Sequence, residues 1–157
     1  MAIDALRHYP TRDELPRWLI AGFLAGALSV LIFHQATIAV LAAMEVIKSA
    51  PYSTAPTSPW GVPQIWSTVF WGGVWGVLLA AVLGRMATGR LLVAALIFGA
   101  VLPTLVGWFV VAPLKGQPMA AGFVPSRMWL GPVINGVWGL GTGIGLALAR
   151  RLFQRGA

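Results

Sequence analysis

The chain has 157 residues, of which 58% are hydrophobic and only 10% charged, and its mean hydropathy is +0.81. A soluble domain of this size carries about a quarter charged residues, so the deficit points to a bilayer rather than to a large aqueous core. The net charge of +7 does not imply nucleic acid, because the basic residues sit at the ends of apolar runs; the absence of Cys excludes disulfides, thiolate metal sites, Cys nucleophiles and covalently attached c-type haem.

Residues 1–17 (MAIDALRHYPTRDELPR) mix both charge signs and read as a cytoplasmic lead-in. The apolar run that follows is too long for a cleavable signal peptide. Thr11 with Glu14 fits a capping box, and Pro16 is tolerable in a first turn. The first helix is expected over 18–47. Its uncharged part, Trp18 to Met44, rises about 40 Å against a hydrocarbon core of roughly 30 Å, so it should tilt or project. An outer loop, 48–64, contains Pro51, Pro56, Pro59 and Pro63 and reads as irregular and polar. The second helix is expected over 65–84, closed by Arg85. Arg90 opens the third, 91–114, in which Pro103 predicts a kink near mid-membrane. A second outer loop, 115–127, precedes the fourth helix, 128–151, which ends on Arg150 and Arg151. The expected fold is an all-α integral membrane protein, one domain of four transmembrane helices.

Orientation follows from the basic residues. The N-terminal segment, the short turn between helices 2 and 3, and the C-terminal segment carry Arg7, Arg12, Arg17, Arg85, Arg90, Arg150, Arg151 and Arg155, against Lys48, Lys115 and Arg127 in the two long loops. That bias predicts both termini in the cytoplasm and both long loops outside.

The two halves are alike in outline. Val62–Pro63 leads to GVWG at Gly73–Gly76, and Val124–Pro125 leads to GVWG at Gly136–Gly139. Upstream, Gly26–Leu41 and Gly99–Leu114 both begin with GA. A duplicated helical hairpin gives this pattern; chance matching among Gly, Ala, Val and Leu is the alternative. Trp75 and Trp138 fall near helix centres rather than at the headgroup level, and each indole N–H needs an acceptor. Small residues recur at four-residue spacing at Gly22 and Gly26, Gly72 and Gly76, Gly139 and Gly143, and Gly141 and Gly145, the spacing of close helix packing. Trp18, Trp60, Trp66 and Trp129 lie at run ends or in loops, where interfacial anchoring accounts for them.

His34 and Gln35 are the strongly polar residues of the first span, and polar groups within a span are costly. At about 100° per residue, His34 lies at the edge of the stripe Gly22, Gly26, Ser29, Thr37, and Gln35 is turned a further step away. The two side chains are therefore expected to face different neighbours. His34 should share the depth of Asn135 and Trp138 on the fourth helix. Three roles compete for it. The favoured one is a neutral histidine bonded to Asn135, an indole N–H or a backbone carbonyl, holding helices in register. The others are an axial ligand to haem or a chlorophyll-type pigment, and a proton-handling group. No further cofactor is expected, apart from bound lipid.

No GxSxG, HExxH, Walker-type loop or paired carboxylate appears, and the acids are Asp4, Asp13, Glu14 and Glu45. No enzymatic activity is expected. Phe33–Gln35 (FHQ), the loop Pro51–Gln64 (PYSTAPTSPWGVPQ) and Leu102–Pro118 (LPTLVGWFVVAPLKGQP) resemble a family of small four-span proteobacterial inner-membrane proteins without an assigned activity. The resemblance covers most of the chain and implies an inner-membrane location; it supplies no catalytic residues. The expectation is an accessory subunit packed against a larger inner-membrane complex, respiratory or photosynthetic. Helix-packing or partner contacts would come from Gly22, Gly26, Gln35, Trp75, Asn135, Trp138, Gly139 and Gly143. The alternatives are a homo-oligomeric transporter or channel with a path along His34, Asn135 and Trp138, or a haem- or pigment-binding subunit using His34.

Overall fold

The computed structural model describes residues 15–155; the Thr11–Glu14 capping box lies outside them. Within hydrocarbon every backbone N–H and C=O needs an internal partner, which an uncharged apolar run can provide only as helix. Among the described residues, four helices are long and apolar enough to cross a membrane. The first, α1 (Leu15–Ala43), and the third, α3 (Thr88–Leu114), each contain a π turn, at Val30–His34 and Gly107–Val111. The second, α2 (Gln64–Leu83), is a regular helix, as is α4 (Leu130–Arg155). In α3 the helix continues through Pro103 and widens one turn later, at Gly107.

Several boundaries and local structures differ from expectation. α1 ends at Ala43, where Glu45 takes a left-handed backbone conformation (φ 58°) and breaks the helix. The fourth span begins earlier than 128: a one-turn helix, Pro125–Met128, leads through Trp129 into α4. Loop 48–64 is not irregular. It holds a two-stranded antiparallel ladder, β1 (Pro56–Thr57) and β2 (Val62–Pro63), with Thr57 opposite Val62. Gly61 (φ 68°) turns the chain between them. The Gln64 and Ile65 N–H groups, which the start of α2 would leave unpaired, donate to Ala55 O and Ser53 O at 2.9 and 3.0 Å. In the second long loop, Ala120, Ala121, Gly122 and Phe123 are all left-handed, and Ala120 is buried there.

The helices form two hairpins held by glycine contacts. In the first, a Cβ on Gly26 would strike the Gly72 carbonyl, and one on Gly76 the Gly22 carbonyl. In the second, a Cβ on Gly99 would strike the Asn135 carbonyl, and one on Gly139 the Ala95 carbonyl. When Gly26 is aligned with Gly99 and Gly76 with Gly139, Gly22 falls on Ala95 and Gly72 on Asn135, so matching positions make matching contacts. Without a hydrophobic force between helices in lipid, this close approach and its dispersion energy hold each pair together. Gly143 extends the second seam against Ala95 and Leu92.

The hairpins join through α1 and α4, whereas α2 and α3 touch only slightly. At the end carrying the short turn Gly84–Ala87, the bundle closes on a core of Trp18, Ala25, Leu79, Leu83, Leu91, Phe98 and Leu146. Trp18 is not an interfacial anchor: it is 3% exposed and donates its indole N–H to Ala80 O at 3.0 Å. The Arg150 guanidinium lies 5.7 Å from the Trp18 ring centre and donates to Met86 O and Gly84 O at 2.9 and 2.8 Å. A cation is thus placed on the orphan carbonyls that follow α2, where the helix dipole favours it.

Gly26→Val and Gly99→Val should each lower stability by at least about 2 kcal/mol through overpacking against backbone. Gly89→Ala, with open space around its Cβ position, should be neutral or slightly stabilising. Thermal unfolding in mild detergent measures all three.

Candidate functional site

Trp138 is the centre of the closed seam. Its indole N–H donates to Gly26 O at 2.9 Å, and its own carbonyl accepts from both Ser29 Oγ (2.6 Å) and Thr142 Oγ1 (2.9 Å). All three side chains are buried. Trp75, the counterpart of Trp138 in the GVWG repeat, makes no equivalent bond. Its ring meets Phe98 edge-on, with centroids 6.0 Å apart, and its indole N–H has no acceptor among the described residues.

The difference leaves a cleft of about 850 Å³ between α2 and α3. It runs from the long-loop end past Trp75 to Leu78, 14 residues inside α2, or about 21 Å along the helix axis. Below it the packed core closes the bundle. The walls are mostly apolar and aromatic, with Gly107 at the π turn of α3 among them; Trp60 and Lys115 stand at the mouth. His34, Trp75 and Asn135 bring polar side-chain atoms to the lining within the spans.

The π turn of α1 shapes this floor. Within it the Gln35 N–H reaches back to the Val30 carbonyl rather than to Leu31. The Leu31 carbonyl so released accepts the Tyr52 hydroxyl at 2.7 Å. Tyr52 N–H also donates to Gln35 Oε1 at 2.7 Å, and Gln35 is 4% exposed. These two bonds hold the first long loop onto α1 and keep Tyr52 in a left-handed conformation (φ 53°), which costs about 1–2 kcal/mol for a residue with a Cβ.

His34 and Gln35 have different neighbours, the cleft and Tyr52 of the first long loop, although the side chains also meet, with Gln35 Nε2 3.4 Å from His34 Nδ1. One expectation is corrected here: His34 is not bonded to Asn135, whose amide instead donates to the buried Thr104 Oγ1 at 2.9 Å. His34 and Asn135 share the cleft without touching each other through a hydrogen bond. Gly22, Gly26, Gly139 and Gly143 lie inside the hairpins, facing neighbouring spans of the same chain rather than an outside partner. Tyr52 and Thr104 belong to the site through long-range hydrogen bonds that leave no local signal in the sequence, and Gly107 belongs to it as a wall residue at the π turn of α3.

With Gln35 Oε1 taken by Tyr52 N–H, the amide nitrogen is the atom that faces His34 Nδ1. Among the described residues no group of three His, Cys, Asp or Glu side chains could hold a metal ion.

No protein-family model, curated protein or solved structure matches the chain.

Replacing Gln35 with Leu removes the acceptor of a backbone N–H and one tether of the loop, at a cost of about 1–3 kcal/mol. Faster amide exchange at Tyr52 and faster proteolysis within residues 48–64 are the expected results, with the four helices retained by circular dichroism.

Proposed function

We propose that the chain is a non-enzymatic membrane subunit that holds a small amphiphile in the α2–α3 cleft and acts as an accessory to a larger bacterial inner-membrane complex. The observation that carries this reading is the inequality of two seams. α1 and α4 close on the Trp138–Gly26 bond, while α2 and α3 stand apart around about 850 Å³. That volume falls within the roughly 300–1,000 Å³ of small-molecule sites. A spanning helix about 10 Å across and 30 Å long fills roughly 2,400 Å³, too much for this space. The packed core beneath Trp75 favours holding a ligand over conducting one through a single chain. The matching glycine contacts support an origin of the two hairpins in one duplicated hairpin, whose second seam has since been specialised as a site. The basic-residue bias supports cytoplasmic termini.

Native mass spectrometry of the chain, isolated gently from its own membranes, should show one bound small molecule per chain. Gly107→Phe, whose side chain would enter open space in the cleft, should lose that molecule without a fall in melting temperature. A bare wild-type chain, or equal retention by the variant, would overturn the ligand-holding role. Co-isolation of large membrane subunits in fixed ratio is expected for the accessory role, and recovery of the chain alone would refute it.

Topology is separately measurable. A reporter inserted at Thr54 should be active only outside the cytoplasm, and one fused at the C-terminus only inside.

A further inference from the structure

Resting on the ligand-holding reading, we infer that the cleft takes one acyl chain of an anionic phospholipid, with the phosphate received at the mouth by Lys115. The shape of the walls points to a chain. Phe70, Val74 and Leu78 follow one another at four-residue spacing along α2, as do Val106, Val110 and Leu114 along α3, and all of them line the cleft. Residues four apart share one face of a helix, so each set forms a rail along its axis. The two helices touch only slightly, and Phe70, Leu78, Val110 and Leu114 are exposed, so the groove between the rails opens sideways into the bilayer. A two-tailed lipid can therefore slide one tail in and leave the other among its neighbours. The cleft is about 21 Å deep along α2, and an extended chain advances about 1.2 Å per bond, so a tail of about 16 to 18 carbons reaches the floor.

The head, not the tail, sets which lipid stays. Surrounding lipid offers a tail the same apolar environment as the cleft, so moving it inside gives little net drive. At the mouth stands Lys115, the residue that follows α3. It is exposed and has no ion-pair partner among the described residues. No Asp, Glu or Arg lines the cleft, and Lys115 is its one lysine. Ser58 and Trp60 bring a hydroxyl and an indole N–H to the same end from the first long loop, and neither group has a partner among the described residues. A phosphate oxygen accepts from each of these donor types. An ammonium on the head, by contrast, finds no carboxylate to balance it, so the mouth is complementary to a lipid whose phosphate charge is uncompensated. Lys48 stands at the same end but outside the cleft, and so separates this site from the general attraction between basic flanks and an anionic surface.

The test supplies the full chain, stripped of native lipid in mild detergent, with phosphatidylglycerol and phosphatidylethanolamine of identical palmitoyl tails. Native mass spectrometry then counts what stays bound. One phosphatidylglycerol per chain should be retained, at least about fivefold more tightly than phosphatidylethanolamine. Lys115→Gln should remove that preference while preserving the melting temperature, Lys48→Gln should leave it intact, and Gly107→Phe should release both lipids. Equal retention of the two lipids by the wild type would overturn the anionic assignment, as would an equally large loss of preference in Lys48→Gln. Palmitate held in place of phosphatidylglycerol, when both are supplied, would overturn the phospholipid assignment. In each of these cases, release by Gly107→Phe leaves the ligand-holding cleft standing. A wild-type chain that retains none of the three probes, and that also carries no native ligand, would overturn both.

Discussion

The hydrogen bond from the Trp138 indole to the Gly26 carbonyl is the contact on which the rest of this bundle depends. It sits where the first hairpin is compressed by glycine contacts on both of its helices. The large indole enters between α1 and α4 and reaches Gly72 on α2, where a Cβ would lie 3.3 Å from the indole nitrogen. One aromatic side chain therefore meets three helices. Ser29 and Thr142 anchor its backbone from either side, so the polar atoms at the centre of the seam satisfy one another. In a membrane, where apolar burial gives no net drive between helices, such a combination of backbone contact and enclosed hydrogen bonding is the main source of cohesion.

The same arrangement explains why a cleft exists. Two hairpins with matching internal contacts, joined on one side, would form a closed four-helix ring if the opposite seam were built alike. It is not: Trp75 turns to Phe98 rather than to the backbone of α3. The bundle is consequently solid at the short-turn end, where Trp18, Arg150 and the nearby carbonyls lock α1, α2 and α4 together, and divided at the long-loop end. The π turns accentuate the division. One aims Gln35 at Tyr52 and ties down the first loop; the other places Gly107, a residue without bulk, on the wall of the cleft.

The polar floor acquires its character in two steps. Tyr52 orients the Gln35 amide, and that amide orients the imidazole of His34. A loop residue outside the bundle is thus linked through one amide to an intramembrane histidine on the wall of the cleft.

Much of this architecture was legible in the chain. Uncharged apolar runs determine four spanning helices, since hydropathy is a local property and lipid leaves the backbone no other means of pairing its polar groups. Glycine at four-residue spacing identified the faces that meet, because the small-residue stripe is itself the interface. Which stripe meets which was settled only by the tertiary structure, as was the closing of one seam and the opening of the other. So were the inward turn of Gln35, the burial of Trp18 and the pairing of Asn135 with Thr104. The physical reason is separation along the chain: the decisive Trp138–Gly26 bond joins residues 112 positions apart, and a π turn moves side chains off the ideal helical wheel. Periodicity tells what a helix offers; only its neighbours decide what is taken.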